Sequence, residues 1–364
     1  MSWKFHPVSQ MAAHADSWDA LQRATTHTPF FGSAFIAPLI DNFGQGNEQL
    51  AFHHGPDGID AATILRPLGQ GRWETFQPSQ LPLGPWLVRP ADDLHARMQS
   101  LLRAAPGFGL SLGVTQIDPK LQPRPELTAA IRLQEYIETS FIDISGTFET
   151  YWEARGKNLR QNTRKQHSKM QTEGVPVRLD TVIKPEGVAE AMAQYGVLES
   201  AGWKAGNGTA IHPDNAQGRF YRTMLENFCA KGCGRIVRYW FGDKVVAMDL
   251  CIDNGPMVVV LKTAYDESYR QVSPSTMMRH EEFKQWWEEG RYQRIEFYGK
   301  TMEWHTRWAT EQRALFHVTA YRWPAVGRLR DSVVAWRGRR VPAANADANS
   351  SALPSPPATS NAAP

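Results

Sequence analysis

The sequence predicts a mixed α/β fold, of the α+β kind, in which a mixed sheet is flanked by helices. Residues 234–263 contain three short, mostly apolar segments with turn residues at 242–243 and 253–255, which predicts an antiparallel three-stranded meander. A helical pattern over 274–290 follows, and residues 293–297 return as a strand. The order strand, strand, strand, helix, strand is the frame on which the rest of the chain is interpreted.

The start of the helix over 274–290 is marked by Ser273 and Pro274. A serine hydroxyl suits the capping position, and a proline ring suits the first helical position. A helix N-terminus beside the end of a sheet has free backbone N–H groups and a favourable dipole, so we expect it to bind anions. The alternative is an ordinary helix cap, and the motif by itself does not decide between the two.

Before residue 120 the chain repeats a similar order of elements. The predicted elements are helices over 16–23 and 29–43, a hairpin over 48–67, a helix over 92–104 and a strand over 109–117. We interpret this order as a degenerate copy of the second half. Residues 125–139 are then predicted to form a connecting helix, and residues 141–144 a strand that opens the second domain.

The remaining helices are predicted over 155–169, 185–201, 214–231 and 326–340. The first contains six cations and no acidic residue: Arg155, Lys157, Arg160, Arg164, Lys165 and Lys169. Such a run is either a solvated face or a contact for phosphate on a CoA-like donor, an anionic acceptor or tRNA. Residues 341–364 are rich in Ala, Pro, Ser and Asn, which predicts a disordered tail.

Composition bounds the class of protein. With 364 residues, 42% of them apolar and 13 of them tryptophan, the chain is long enough for two domains with buried cores. The net charge of +3 makes no bulk case for nucleic acid or membrane. Three cysteines (Cys229, Cys233 and Cys251), no export signal and no apolar run near ~18 residues favour a cytoplasmic protein without a stable membrane span.

Three stretches together resemble a known family. They are Ser273-Pro274 before the helix, SAGWKAGNGTAI over 200–211 and EFYGKTMEWHTRWATE over 296–311. Residues 146–322 resemble the GNAT acyltransferase superfamily, most closely its CelD-like branch, which is related to the Fem-type peptidyltransferases. The chain departs from that branch at Trp304-His305, where an aromatic-Lys pair is expected.

The resemblance implies two tandem GNAT-like domains, a degenerate one over 1–140 and an acyltransferase domain over 141–340, before the tail. It also implies an N-acyltransferase that moves an acyl group from the co-substrate acyl-CoA to an amino group on a small molecule, sugar or cell-envelope precursor, as in polysaccharide or envelope biosynthesis. No metal motif is present. Two alternatives stay open: a Fem-type aminoacyl transferase that binds tRNA through Arg155 to Lys169, and a GNAT-like scaffold without turnover.

Acyl transfer needs a held donor, hydrogen bonds to the developing oxyanion and a path for the amine proton. The backbone over 261–263 is the candidate oxyanion site. The candidate donor-binding residues are Arg270, Ser273, Ser275, Thr276 and Lys262. The candidate acids and bases are Asp249, Tyr265, Tyr269 and His305, with Asp266 and Glu303 as further choices. The candidate acceptor-binding residues are Trp203, Lys204, Lys300, Arg307 and Trp308, of which the tryptophans could equally be core.

Overall fold

The computed structural model describes residues 2–89, 92–201 and 211–338. The strands are β1 (Ser2–Pro7), β2 (Gln49–Gly55), β3 (Gly58–Gly69), β4 (Arg72–Thr75), β5 (Trp86–Leu87), β6 (Ser111–Ile117), β7 (Ile131–Asp143), β8 (Val177–Val182), β9 (Gly234–Phe241), β10 (Lys244–Asp253), β11 (Met257–Tyr265), β12 (Arg294–Glu296) and β13 (Glu311–Tyr321). The helices are α1 (Met11–Ala24), α2 (Ser33–Phe43), α3 (Leu94–Ala104), α4 (Phe148–Glu153), α5 (Lys157–Thr172), α6 (Val188–Ala201), α7 (Ala216–Ala230), α8 (Pro274–Glu289), α9 (Glu303–Trp308) and α10 (Pro324–Gly338). The predicted tail over 341–364 lies outside the described residues.

The strands form one mixed sheet in the order β1-β2-β3-β4-β6-β13-β7-β12-β11-β10-β9-β8, with β5 paired to β3. Read inward from its two edges, the sheet shows the same pattern of strand pairings twice. Each half contributes an antiparallel set of strands that ends in a short parallel pair, β4 with β6 in the first half and β11 with β12 in the second. The predicted fold class, a mixed sheet flanked by helices and built from two related halves, is confirmed.

The two halves exchange strands at the centre of the sheet. β7 follows β6 in the chain but pairs with β12, whereas β13 follows β12 but pairs with β6. β7 and β13 then pair with each other over most of their length. Residue 140, the predicted domain boundary, therefore falls inside β7, and the division into domains stays a prediction.

The helix predicted over 125–139 is wrong, because most of this segment belongs to β7. Residues such as Leu133, Gln134 and Glu135 favour helices by local propensity, but all three pair with residues of β13 in the sheet. Pairing in a central strand outweighs a weak local preference.

The meander predicted in the second half is confirmed. β9 and β10 meet at Gly242 (φ 57°), and β10 and β11 meet at Gly255 (φ 100°), so each tight turn uses a glycine with the positive φ that other residues adopt at a cost. The helix predicted after the meander begins at Pro274 and ends before Gly290, as expected.

Helices cover both faces of the sheet. One face carries α1, α2, α6 and α7, whose apolar side chains form a core shared by both halves. Within it the Phe220 ring of α7 packs edge-on against Phe35 of α2, with ring centroids 5.3 Å apart. The other face carries α3 over the first half and α4, α5 and α8 over the second. Among the described helices, none combines the length and apolarity needed to cross a bilayer.

Candidate active site

An opening in the sheet lies between β11 and β12. The two strands pair in parallel at three positions only, Met257 with Arg294, Val258 with Ile295 and Val259 with Glu296. β11 then continues to Tyr265 while β12 ends, so the backbone edge of 260–265 is left without β12 as a partner. Polar backbone groups at such an edge can bind a ligand.

A β-bulge lies at the same place. Leu250 pairs with Lys262 and Cys251 pairs with Val260, so Leu261 is an extra residue in β11. A bulge leaves one residue out of the ladder and re-aims the side chains beyond it. The stretch 261–263, where we expect the oxyanion to be bound, thus combines an irregular backbone with an unpaired edge.

The bulge corrects the expectation for Lys262 as a donor-binding residue. Val258 and Val260 face α8, and regular alternation would point Lys262 the same way. The extra residue turns Lys262 to the opposite face, where its Nζ lies 3.3 Å from the carboxylate of Glu199 on α6. Lys262 is therefore separated by the sheet from the N-terminus of α8.

The N-terminus of α8 differs in detail from the predicted cap. Ser273 adopts a left-handed conformation (φ 49°, ψ 59°), and its hydroxyl makes no capping hydrogen bond. Its carbonyl instead accepts from the N–H groups of Thr276 and Met277, at 2.9 and 3.2 Å. The N–H groups of Thr276 and Met277 are therefore occupied, and of the three N–H groups over 275–277 only that of Ser275 has no acceptor among the described residues.

A cleft of about 590 Å³ opens at this helix end, between α5, α8 and α9. Its lining includes two donor-site residues predicted from sequence, Ser273 and Thr276, and one predicted acceptor-site residue, Arg307, which forms an ion pair with Glu303. None of the described residues that line it is aromatic. The cleft is thus a polar groove that begins at an open helix N-terminus.

Sequence reasoning missed a row of side-chain amides in this cleft. Asn158, Asn162 and Gln166 on α5 all line it. They are spaced four residues apart, so they occupy one helix face. Each amide can both donate and accept, which suits a ligand that carries amides of its own. The four-residue spacing is present in the sequence, but the interpretation of this helix from sequence rested on its six cations and not on its amides.

A second missed feature is a buried ion cluster behind the sheet opening. Asp249 on β10 is fully buried, and its Oδ2 lies 3.8 Å from Nε of Arg279 on α8. Arg279 also donates to the Thr263 hydroxyl at 2.8 Å, and its guanidinium lies 4.0 Å from the ring centre of Trp304. The cluster joins β10, β11, α8 and α9.

A second buried carboxyl, that of Glu282 on α8, lies near Asp249. If both carboxyls were ionised, two negative charges would face the single positive charge of Arg279. Burial raises the pKa of Asp249, and burial together with the nearby Asp249 carboxylate raises the pKa of Glu282 well above its usual value. Arg279 opposes both shifts but is a single cation. The raised pKa of each carboxyl favours its protonated form, and burial makes Asp249 better suited to an anchoring role than to that of an exposed base.

His305 is packed rather than open to solvent. It is 6% exposed, its ring stacks on Trp304 with centroids 3.6 Å apart, and its Nδ1 accepts from the Met302 N–H at 2.9 Å. Burial, with Arg279 nearby, lowers the pKa of His305 to about 3. The ring is neutral at pH 7, and a pKa this low makes it a weak base. A catalytic role for His305 stays a prediction.

The remaining predicted residues are dispersed. Tyr265 and Tyr269 are half-buried; the Tyr269 ring packs against Phe241 (centroids 5.5 Å apart) and under Lys244, outside the cleft. Arg270 and Lys300 are exposed.

The predicted acceptor-binding tryptophans have different outcomes. Trp308 is 2% exposed, stacks on Trp152 with centroids 5.5 Å apart and packs edge-on against Phe283, so it is a core residue. Trp203 and Lys204 lie outside the described residues. Among the described acceptor-site residues, Arg307 lines the cleft, Lys300 is exposed and Trp308 is a core residue, so the acceptor site stays a prediction.

The corresponding opening in the first half is filled. β4 and β6 also pair in parallel at three positions, but Gly84 then lies beside them and donates to the Thr115 carbonyl at 3.0 Å. The hydroxyls of Thr75 and Thr115 are 2.6 Å apart. An added Cβ on Gly84 would lie 2.4 Å from the Thr115 oxygen, so no space is left for a ligand there.

Comparison with known proteins agrees with this geometry. Residues 157–306 match the family model described as an acetyltransferase (GNAT) domain, a segment that contains β11, α8, β12 and most of the residues that line the cleft. This part of the chain is thus similar to a GNAT acetyltransferase domain, which supports an acyltransferase. No curated protein matches the sequence.

Several solved structures share the fold at low identity. A conserved protein of unknown function from Bacteroides thetaiotaomicron is 12% identical, with a TM-score of 0.54 over 87% of this chain and 99% of the other. FemX is 9% identical, with a TM-score of 0.57 over 89% and 98%. The C-terminal domain of a putative lysylphosphatidylglycerol synthetase from Agrobacterium fabrum is 14% identical, with a TM-score of 0.50 over 90% and 96%. Nearly the whole chain shares the architecture of these proteins.

Proposed function

We propose that the chain transfers an acyl group from a pantetheine thioester, such as acyl-CoA, to an amino group on a small molecule, sugar or cell-envelope precursor. The observation that carries the proposal is the cleft at the N-terminus of α8, the helix that packs on β10 and β11. GNAT domains generally use acyl-CoA, and the matched family model covers this region.

The reaction suits the groups at the sheet opening. The amine nitrogen attacks the thioester carbonyl, the carbon–sulfur bond breaks and the amine proton ends on the leaving thiolate. Backbone N–H groups near the Leu261 bulge would stabilise the oxyanion, because an irregular strand edge presents donors that no ladder uses. Among the described residues no group of His, Cys, Asp and Glu side chains is arranged to hold a metal ion.

The acceptor would approach from the α6 face, since the donor occupies the α8 face. On the α6 face Glu199 is 4% exposed and receives hydrogen bonds from Lys262 and from the Ile211 N–H at 2.7 Å. The CelD-like branch, and with it a role in polysaccharide or envelope biosynthesis in the cytoplasm, is part of the proposal and rests on the motifs at 273–274 and 296–311.

Aminoacyl transfer from tRNA is the second candidate, and the exposed cations of α5 favour it. The residues that line the cleft argue against tRNA as the donor. Proteins that hold unpaired nucleotides commonly stack the bases on aromatic rings. No aromatic residue lines the described cleft, and the acidic Glu303 does.

The test is thermal unfolding of the purified chain with a panel of acyl-CoAs and acyl-pantetheines from acetyl to palmitoyl. A thioester present at about 100 times its dissociation constant should add about 2.7 kcal/mol to the free energy of unfolding. Ser273→Asp, which places a negative charge at the α8 N-terminus, should abolish the shift with the acyl-CoAs, whose phosphates it repels; Ser332→Asp, at an exposed serine of α10, should leave it intact.

The other outcomes separate the alternatives. An absence of any shift with every thioester would contradict the proposal. If aminoacyl-tRNA then stabilised the chain in a salt-dependent manner, the second candidate would replace it. If neither donor bound, a GNAT-like scaffold without turnover would be the better description.

A further inference from the structure

The outward face of α5 carries cations that no neighbouring residue neutralises. Lys157, Arg164 and Lys165 are all exposed, and no described residue forms an ion pair with any of them. By contrast, Lys169 at the end of the same helix lies 3.8 Å from Glu173. Three unpaired cations on three turns of helix form a compact positive surface, which we name the α5 basic face.

The α5 basic face adjoins the cleft. At 100° per residue the three cations fall within a sector of about 100° on the helix, and the amides of Asn158, Asn162 and Gln166 fill the next sector. The amides line the cleft and the cations do not. A macromolecule bound to the cations would therefore lie beside the cleft entrance, within reach of a short flexible arm.

The cleft itself has few groups for phosphate. The Thr276 and Met277 N–H groups are occupied by the Ser273 carbonyl. Arg307 is paired with Glu303, and the Arg155 guanidinium donates to the backbone carbonyls of Trp308 and Ala309, at 3.0 and 2.7 Å. Free CoA carries three phosphate groups, whereas a carrier-bound phosphopantetheine has one phosphodiester. The few hydrogen-bond donors available in the cleft suit the single phosphodiester of the carrier-bound arm better than the three phosphates of free CoA.

We infer that the acyl donor is presented by an acidic carrier protein, which docks on the α5 basic face and inserts its phosphopantetheine arm into the cleft. The inference rests on the proposed function and names the form of its donor. The two amides of the pantetheine arm would pair with the amide row of α5, and the single phosphodiester would lie near the α8 N-terminus. The N–C bond forms, the C–S bond breaks, and the arm leaves as a free thiol with the amine proton.

Nucleic acid fits the same face less well. The three cations of the α5 basic face lie on a single helix, and the cleft beside them has an acidic residue and no aromatic ring among the described residues. An acidic helix of similar length matches a single basic helix in both size and charge, and such complementarity speeds association and selects the partner.

The experiment compares binding of two probes, octanoyl-CoA and an acidic acyl carrier protein loaded with octanoyl-phosphopantetheine, to the full chain. The carrier should bind at least about tenfold more tightly at low salt, and its affinity should fall several-fold between about 50 and about 300 mM salt. The triple variant Lys157→Glu, Arg164→Glu, Lys165→Glu should lose about tenfold or more in carrier affinity and keep its affinity for octanoyl-CoA.

The matched control reverses three exposed cations outside α5, with Lys4→Glu, Lys184→Glu and Arg328→Glu, and should leave carrier binding unchanged. If octanoyl-CoA binds and the carrier does not, or if the triple variant binds the carrier normally, the inference is overturned while the proposed function stands. If the α5 basic face binds tRNA and not the carrier, nucleic acid is the partner and the inference fails. If neither thioester binds, the proposed function itself fails.

Discussion

Arg279 Nε lies 3.8 Å from Asp249 Oδ2, and neither side chain is more than 5% exposed. This contact links the strand and helix that border the sheet opening, and Arg279 extends it to Thr263 on β11. The arginine is the nearest compensation for two buried carboxyls, those of Asp249 and Glu282. The cluster is therefore expected to respond strongly to the loss of its cation.

Arg279→Met should lower the free energy of unfolding by about 3 to 5 kcal/mol, since it leaves buried carboxyls without their partner. Urea unfolding measures the change. The matched triple variant Arg279→Met, Asp249→Asn, Glu282→Gln removes the charges together and should recover much of the loss. If the single and triple variants were equally stable, burial of uncompensated charge would not be the cause.

Glu296 should make stability depend on pH in the mildly acidic range. Burial is the main cause that raises its pKa from 4.5 to about 7, against the opposing effect of Arg313 at 3.0 Å. Because the pKa of Glu296 is higher in the folded state, its protonated carboxyl contributes fully to stability below about pH 4.5. This contribution is lost as the pH rises toward 7. The change is on the order of 3 kcal/mol.

Urea unfolding of wild type and Glu296→Gln at pH 4.5, 5.5 and 7 tests this prediction. The stability of wild type relative to the variant should decline from the lowest pH to the highest. Glu311→Gln, at an exposed position, is the control and should follow wild type throughout. Parallel curves for wild type and Glu296→Gln would mean that folding does not raise the pKa of Glu296.

Asn162→Leu should weaken binding of octanoyl-pantetheine by about fivefold to tenfold, equivalent to about 1 to 1.5 kcal/mol for a lost amide hydrogen bond. Isothermal titration measures the dissociation constant. Gln161→Leu, on the exposed side of α5 and outside the cleft lining, should bind as wild type does. Equal effects of the two substitutions would show that the amide row does not contact the donor.

Gly84→Ala should destabilise the protein by about 1 to 3 kcal/mol, because the new methyl group would lie 2.4 Å from a backbone oxygen that cannot move away freely. Thermal unfolding measures the loss. Thioester affinity, measured below the unfolding transition, should not change, because Gly84 closes the opening of the first half and the proposed donor cleft lies in the second. A loss of affinity as large as that of Ser273→Asp would indicate a donor site in the first half.

Local patterns predicted much of the fold. The correct predictions include the meander, the helix that begins at Pro274 and the hairpin at 48–67. They succeeded because turn residues and hydrophobic periodicity are properties of a few consecutive residues. The first part of β7, over 131–139, was not predicted as a strand, since it has no strong period and acquires its conformation from partners more than 150 residues away.

The sequence by itself determined the order of elements over 234–297, the polar helix start at Ser273-Pro274 and the resemblance to the GNAT superfamily. Only the tertiary structure decided the exchange of β7 and β13, the bulge that turns Lys262 away from the donor cleft and the pairing of Arg279 with Asp249. The physical reason is that hydrogen-bond register and burial depend on which distant segments meet. Propensity and period, in contrast, belong to the local chain.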